Sequence, residues 1–147
     1  MTATKGRNCS IANALEVVGE KWSLLVLREI ALGQRRFDEI AAGTGASRDI
    51  LAARLRTLVD ADVLTKRRYE DHPPRYEYVA TESGKALYPI LMALMEWGDA
   101  FATTGPPPTV VEHRCGEILH AQVVCAHCKE PLAAKDAHVV ELSPPAR

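Results

Sequence analysis

A helical pattern that runs directly into a basic strand pair places the strongest constraint on the fold of this chain. The segment is SRDILAARLRTLVDADVLTKRRYEDHPPRYEYVATESGKAL, residues 47–87. Its first part has apolar residues at helical spacing, and its middle part alternates like two strands joined by EDHPP. A second helical pattern follows at once. We therefore expect a helix, a hairpin and a helix to be joined without any long loop.

Three further helices are predicted before this segment. Ser10 is the predicted N-cap of the first, which Gly19 ends. The apolar stretch KWSLLVLREIALG forms the second, closed by Gly33, and its nearly continuous hydrophobicity predicts a central, buried position. The short third helix, RRFDEIAAGTGA, is joined by GTGA to the helix that Ser47 caps. This spacing is typical of a helix-turn-helix, and a hairpin directly after it is typical of a wing.

A long helix is predicted after the hairpin, capped by Thr81 and kinked at Pro89, because proline removes a helix hydrogen bond. Its apolar residues suit a partner helix in a second copy. They are Leu87, Leu91, Leu94, Gly98 and Phe101. The predicted fold is mainly α with a small β-hairpin: a winged helix-turn-helix with a long C-terminal dimerisation helix and a small β-rich tail.

The predicted domain organisation has three parts. A winged helix-turn-helix DNA-binding and dimerisation domain spans residues 9–103, a Pro-rich linker spans 104–110, and a small Cys/His-containing tail spans 111–147. The tail segments ILHAQVV and AHVVEL are predicted to be short strands. The sequence shows no internal repeat.

The composition excludes several classes of protein. With 47% hydrophobic and 25% charged residues, the chain is globular. No apolar run is long enough for a membrane span, and MTATKGRNCS lacks a signal-peptide core. We expect a cytoplasmic protein whose four cysteines are thiols, metal ligands or redox sensors. The sequence contains no Ser-His-Asp order, phosphate loop or catalytic carboxylate pair that would indicate an enzyme.

Basic residues cluster in the middle of the chain although the net charge is -1. Local patches determine phosphate affinity, and exposed cations on strands suit the backbone of double-stranded DNA. The N-terminal residues of a recognition helix meet base edges, where arginine can pair with guanine and alanine can meet a thymine methyl. The predicted DNA-binding residues are Arg35, Arg36, Ser47, Arg48, Ala52, Arg54, Arg56, Lys66, Arg67, Arg68 and Arg75.

Two of these assignments have specific alternatives. The wing could be a solvated ribbon whose cations are neutralised by neighbouring carboxylates, which would favour a protein–protein assembly module. Arg54 lies at the edge of the buried face, where it reaches a phosphate or pairs with Asp60 or Glu39. The carboxylates near the wing are Glu70, Asp71 and Glu77.

Four elements of the sequence resemble the HxlR-type winged-helix regulators, relatives of the MarR group. They are GEKWSLLVLR, RRFDEI, RLRTL and YVATESG, within a similarity from about Cys9 to Phe101. The resemblance implies a homodimeric, DNA-binding transcription factor without enzyme activity, which would act as a repressor or as a dual regulator. It would bind a pseudo-palindromic operator and respond to a small molecule or to thiol oxidation. The dimer would form through the first and the long C-terminal helices. Cys9 occupies the family's redox-active position, but Ser10 follows where the family often has proline.

An effector pocket is predicted between the first helices and the long helix of the partner. The candidate lining residues are Trp22, Tyr88, Met92 and Trp97. For each of them, the alternative is a place in the core or in the dimer interface.

The tail carries a candidate structural zinc site, which is the single cofactor that the sequence suggests. Cys125 and Cys128 form a C-x-x-C pair, and His113 and Cys115 can supply two further ligands. The one-residue spacing of His113 and Cys115 suits a tetrahedral metal poorly. The alternatives are reduced thiols and an oxidisable pair, so a zinc- or thiol-dependent sensor is the alternative function. Substitute ligands would be His120 and His127.

Overall fold

In this computed structural model the described residues are 6–145, and they form two compact units. The first unit contains residues 6–86 and 141–145, and the second contains residues 87–140. The first five residues and the last two residues of the predicted tail lie outside the described part. None of the helices in residues 6–145 is long and apolar enough to cross a membrane.

The first unit contains five helices and one hairpin. In chain order they are α1 (Ser10–Val18), α2 (Lys21–Ala31), α3 (Phe37–Thr44), α4 (Arg48–Asp60), β1 (Leu64–Asp71), β2 (Pro74–Ala80) and α5 (Glu82–Ala86). The second unit contains α6 (Tyr88–Phe101) and a single 3₁₀ turn, Ala134–Asp136. The predicted order of helices and hairpin in the first unit is confirmed.

The core of the first unit forms around α4. Leu51, Leu55 and Leu58 recur at helical spacing and are fully or almost fully buried. Burying a leucine side chain contributes about 1.5–3 kcal/mol, so this stripe fixes which face of α4 points inward. The residues Val26 and Ile40 bury completely beside it.

The second helix is less buried than its sequence predicts. Trp22 and Leu24 are half-buried, whereas two polar residues, Ser23 and Glu29, are buried. Glu29 accepts a hydrogen bond from Nε of Arg28 at 2.8 Å, which compensates for its burial. The helix is therefore central but not apolar on all sides.

The predicted caps of two helices are confirmed. The Ser47 hydroxyl accepts a hydrogen bond from the Ile50 N–H at 3.3 Å. The Thr81 hydroxyl accepts one from the Gly84 N–H at 3.2 Å. The first helix differs by one residue, because Cys9 is its N-cap and makes no side-chain cap bond.

The long helix predicted after the hairpin is in fact two helices. α5 ends at Ala86 and α6 begins at Tyr88, with Pro89 in the first turn of α6. Proline lacks an N–H and crowds the preceding turn, so it begins a helix more readily than it continues one. The predicted kink is therefore a full interruption, and the boundary between the two units falls there, inside the segment 9–103.

The hairpin pairs further toward its tip than predicted, since residues of the expected EDHPP connection belong to its strands. Asp71 pairs with Pro74, so the connecting loop contains only His72 and Pro73. In a two-stranded ribbon every strand is an edge, and a proline there removes no inner hydrogen bond. The pairing register shifts between Arg68 and Glu70, where β1 carries a bulge.

The tail is not β-rich, contrary to the prediction. Among the described residues after α6, β-pairing is limited to isolated bridges, which join Glu112 with Ile118, Val124 with Pro131, and Pro145 with Arg7. The segments ILHAQVV and AHVVEL form no strand. Most tail side chains are exposed, so no buried face aligns strands into a sheet.

Candidate nucleic-acid interface

An exposed strip on α4 carries three of the predicted DNA-binding residues. Arg48, Ala52 and Arg56 are four residues apart, so they lie on one face, away from the buried leucines. Arg48 and Arg56 are exposed and Ala52 is half-exposed. Ser47 stands at the start of this strip, but its oxygen already caps the helix.

Arg48 is held from two sides by residues of α3. Its Nη1 donates a hydrogen bond to Oδ1 of Asp38 at 2.9 Å. Its guanidinium also lies over the Phe37 ring, 4.7 Å from the centroid. The side chains of Arg48 and Asp38 are 73% and 83% exposed, so water and salt screen this pair. The contacts therefore orient Arg48 more than they stabilise the fold.

A cleft of about 370 Å³ separates α4 from the wing, which is the hairpin of β1 and β2. Ala52 and Arg56 line it from α4, and Lys66 lines it from β1. Tyr78 lies on the same wall, and burial raises the pKa of its hydroxyl. Cations from α4, the predicted recognition helix, and from the wing thus face one cleft. The other lining residues are Phe37, Leu55, Val59 and Asp60.

Two wing arginines form short ion pairs within the hairpin. Nε of Arg67 lies 3.0 Å from Oε1 of Glu77, the residue opposite it in the register. Nε of Arg75 lies 3.1 Å from Oε2 of Glu70. These carboxylates neutralise part of the wing's positive charge.

The other two wing cations gather around Tyr76. The Lys66 ammonium lies over the Tyr76 ring, 4.5 Å from its centroid. Arg68 donates a hydrogen bond to the Tyr76 hydroxyl at 3.0 Å. This bond raises the pKa of Arg68 and lowers the pKa of Tyr76. Arg68 also lies 3.7 Å from Asp71, a longer contact.

Several predicted cations remain without a carboxylate partner. Within residues 6–145, the side chains of Arg35, Arg54, Arg56 and Lys66 take part in no ion pair. Neither proposed partner of Arg54 pairs with it, and its side chain is half-buried. The positive charge of the interface is therefore only partly neutralised.

The backbone N–H groups at the start of α3 are occupied by a carboxylate of the same helix. The helix begins after Arg36, and Glu39 accepts hydrogen bonds from the N–H groups of Arg35 and Arg36, both at 3.1 Å. These two bonds lower the pKa of Glu39. The Arg36 guanidinium lies over the Tyr69 ring at 4.8 Å. Backbone N–H groups at the start of a helix can bind a phosphate, but here a carboxylate of the chain itself accepts from them.

Two of the four predicted effector residues share a cavity in the second unit. Tyr88 and Met92 line a cavity of about 670 Å³ within the second unit, together with tail residues that include His113 and Cys115. Trp97 instead packs against Phe101, with ring centroids 5.8 Å apart. Trp22 is in the first unit, with the ammonium of Lys21 over its ring.

The candidate thiols lie in separate places. Cys9 is half-buried at the start of α1. The Cys125 sulfur accepts hydrogen bonds from the N–H groups of Cys128 and His127, and these bonds lower the pKa of its thiol. His120 is engaged elsewhere, since its Nδ1 lies 3.1 Å from Oε1 of Glu96.

The predicted metal ligands form two pairs. Nδ1 of His113 lies 3.3 Å from Sγ of Cys115. Cys125 and Cys128 form the second pair. In the part of the chain that the structure describes, no three His, Cys, Asp or Glu side chains form one metal-sized cluster.

Sequence reasoning missed four residues of the interface. Phe37, Asp38, Tyr69 and Tyr76 each contact a predicted cation. The tyrosines carried a usable signal, because Tyr69 and Tyr76 each directly follow an arginine on their strand. Their partners depend on the hairpin register, which a bulge alters.

Comparison with known proteins agrees with this architecture. The family model described as HxlR-like helix-turn-helix matches residues 17–105. The uncharacterised HTH-type transcriptional regulator Rv3095 of Mycobacterium tuberculosis is 40% identical over 129 residues, covering 86% of this chain and 82% of that protein. The crystal structure of the candidate transcription factor PA1607 has a TM-score of 0.77 at 34% identity, covering 90% of this chain and 94% of that chain. The redox regulator HypR in its reduced form has a TM-score of 0.59 at 29% identity, covering 63% and 92%. The winged helix-turn-helix prediction is confirmed.

Proposed function

Because the chain belongs to the HxlR-like helix-turn-helix family of transcriptional regulators, we propose that it is a repressor that binds a pseudo-palindromic operator as a homodimer. The observation that carries this proposal is the cleft between α4 and the wing. Arg56 on the recognition helix and Lys66 on the wing both line it, and neither has an acidic partner within the described residues. Sequence-specific DNA binding needs a helix face that contacts bases next to a strand that contacts phosphates.

The recognition helix supplies the base contacts. Arg48 and Arg56 can each pair bidentately with a guanine, and Ala52 between them allows close approach or meets a thymine methyl. Arg48 is pre-oriented by Asp38 and Phe37. The wing supplies phosphate contacts through Lys66 and Arg68.

The homodimer would form through α6 and α1. One face of α6 is apolar and exposed: Trp97 is 58% and Phe101 is 76% exposed. The first helix adds Ile11 and Leu15, also exposed. A continuous apolar helix face of this kind favours a partner. The other exposed members of the α6 face are Ile90 and Leu94.

We further propose that the regulator is controlled by a small molecule. The cavity in the second unit is large enough for one, and Tyr88 and Met92 give it apolar walls. Control by oxidation of Cys9 is the alternative, supported by the similarity to the redox regulator HypR.

The test is fluorescence anisotropy with the DNA upstream of the gene that encodes the protein, over a series of salt concentrations. We expect tight binding at one site, a steep salt dependence and one dimer per palindrome. Scrambled DNA of equal length and base composition is the control. Equal affinity for the upstream and scrambled DNAs, together with no preferred site in a selection from a random DNA library, would contradict the proposal. Absence of binding at low salt would favour the assembly module.

A further inference from the structure

The tail contains a structural repeat that its sequence does not reveal. Residues 111–119 form a first turn and residues 123–132 form a second turn, and both close with the same pattern of backbone hydrogen bonds. One residue inside the closing bond of each turn, an isolated bridge also joins its two sides, Glu112 with Ile118 and Val124 with Pro131. The closing bonds run from the Leu119 N–H to the Val111 carbonyl at 2.7 Å and from the Leu132 N–H to the Val123 carbonyl at 3.1 Å.

The repeat places His113 and Cys125 at equivalent positions. The His113 N–H donates to the Glu117 carbonyl at 2.9 Å. The Cys125 N–H donates to the Glu130 carbonyl, also at 2.9 Å. The first potential ligand of each pair therefore begins its turn in the same way.

The second potential ligands, Cys115 and Cys128, are equivalent as well. Each is followed directly by a residue with positive φ: Gly116 at 89° and Lys129 at 65°. This conformation is unfavourable for lysine by about 1 kcal/mol, so the turn must maintain it. It does so through the Lys129 N–H, which donates to the Cys125 carbonyl at 2.8 Å.

The geometry within the first pair suits a shared metal ion. Nδ1 of His113 and Sγ of Cys115 lie 3.3 Å apart, close to the separation of roughly 3.5 Å that Zn–N and Zn–S bonds impose at tetrahedral angles. The first turn is one residue shorter between its ligands than the second. An imidazole reaches further from the backbone than a thiol, which compensates for the shorter spacing.

We propose that the two turns together bind one soft divalent cation of the zinc class, with His113, Cys115, Cys125 and Cys128 as its four ligands. Since no three of these side chains form one cluster in the described residues, metal binding must draw the two turns together. Little opposes this, because the tail has no fully buried residue among those described. A small segment without a core gains most from a metal crosslink. The proposal does not depend on DNA binding.

The test is a titration of the full-length, reduced, chelator-treated protein with Co²⁺, followed by displacement with Zn²⁺. We expect one equivalent of Co²⁺ per chain, with the visible absorption bands of tetrahedral cobalt and a sulfur-to-cobalt charge-transfer band. The single variants His113→Ala, Cys115→Ser, Cys125→Ser and Cys128→Ser should each lose the tetrahedral spectrum. Their helical circular dichroism should remain unchanged, since the helices lie outside the two turns.

Cys9→Ser is the matched control, because Cys9 is a thiol outside the tail, and it should bind cobalt like the parent. Absence of the cobalt spectrum in the parent would overturn the proposal. So would cobalt binding that depends on Cys125 and Cys128 but not on His113 and Cys115. The latter result would mean that the first turn contributes no ligand.

Discussion

Oδ1 of Asp38 lies 2.9 Å from Nη1 of Arg48, so α3 holds the first residue of the recognition helix in place. The pair is exposed and contributes at most about 1 kcal/mol to folding. Its value lies in restricting the rotamers of Arg48, which lowers the entropy that arginine loses on pairing with a base.

Removing the Arg48 side chain should weaken operator binding. We expect Arg48→Ala to cost about 1–3 kcal/mol and to relax specificity at one base pair of each half-site. Anisotropy against operators with single substitutions measures both quantities. A variant with the parent's full base preference would contradict the assignment of Arg48 to a base.

Removing the contact of Asp38 with Arg48 should affect discrimination between operator bases, although the arginine itself remains. We expect Asp38→Asn to reduce the preference for the operator base that Arg48 reads. Asp49→Asn removes the same charge one residue along α4 without a contact to Arg48 within the described residues, so it is the matched control. Equal changes in the two variants would show that charge, not orientation, accounts for the effect.

The wing cations should determine salt dependence. Lys66→Ala and Arg68→Ala should each weaken binding to all sequences alike and reduce the salt slope by about 1. Lys85→Ala is the control, because Lys85 lies on α5 and pairs with Glu82. If Lys85→Ala lowers the slope as much as the wing variants do, the wing has no special part in phosphate contact.

A charge on the apolar face of α6 should separate the proposed dimer. Leu94 is about half-exposed, and burying a carboxylate against a partner helix is strongly unfavourable. We expect Leu94→Glu to be monomeric by light scattering and to lose operator affinity, whereas Leu94→Met stays dimeric. A dimeric Leu94→Glu variant would place the interface elsewhere.

The Thr81 cap should stabilise the first unit. Its hydroxyl accepts from the Gly84 N–H and donates to the Asp62 carbonyl at 2.6 Å, linking α5 to the turn before β1. Thr81→Ala should lower the free energy of unfolding by about 1–2 kcal/mol in urea denaturation. Thr81→Ser keeps the hydroxyl and should lose less than half of that. Identical losses in the two variants would assign the effect to the methyl group.

The helices and the hairpin could be predicted because their signals are local. The leucines of α4 have helical spacing, and Ser47 and Thr81 are typical N-caps. The interruption at Leu87 was underestimated, since Pro89 lies in a segment whose apolar spacing continues on both sides. Periodicity does not report whether a proline bends a helix or begins a new one.

The site could be predicted in its residues but not in its contacts. Basic residues on the strands were evident, yet their partners depend on the register, and the bulge after Arg68 shifts it. The repeat in the tail was missed for a different reason. It is carried by backbone hydrogen bonds and by the conformation of Lys129, and neither has a side-chain pattern that the sequence displays.

The ion pairs of Arg67 with Glu77 and of Arg75 with Glu70 affect how the proposed regulator would search a genome. An arginine that already shares its charge with a carboxylate displaces few counterions when it meets a phosphate. These two arginines therefore add little to residence on random sequence, and the wing's attraction to the DNA backbone comes from Lys66 and Arg68. The molecule should leave non-operator DNA sooner than its number of wing cations suggests, and its occupancy should depend more on the contacts that an operator alone completes.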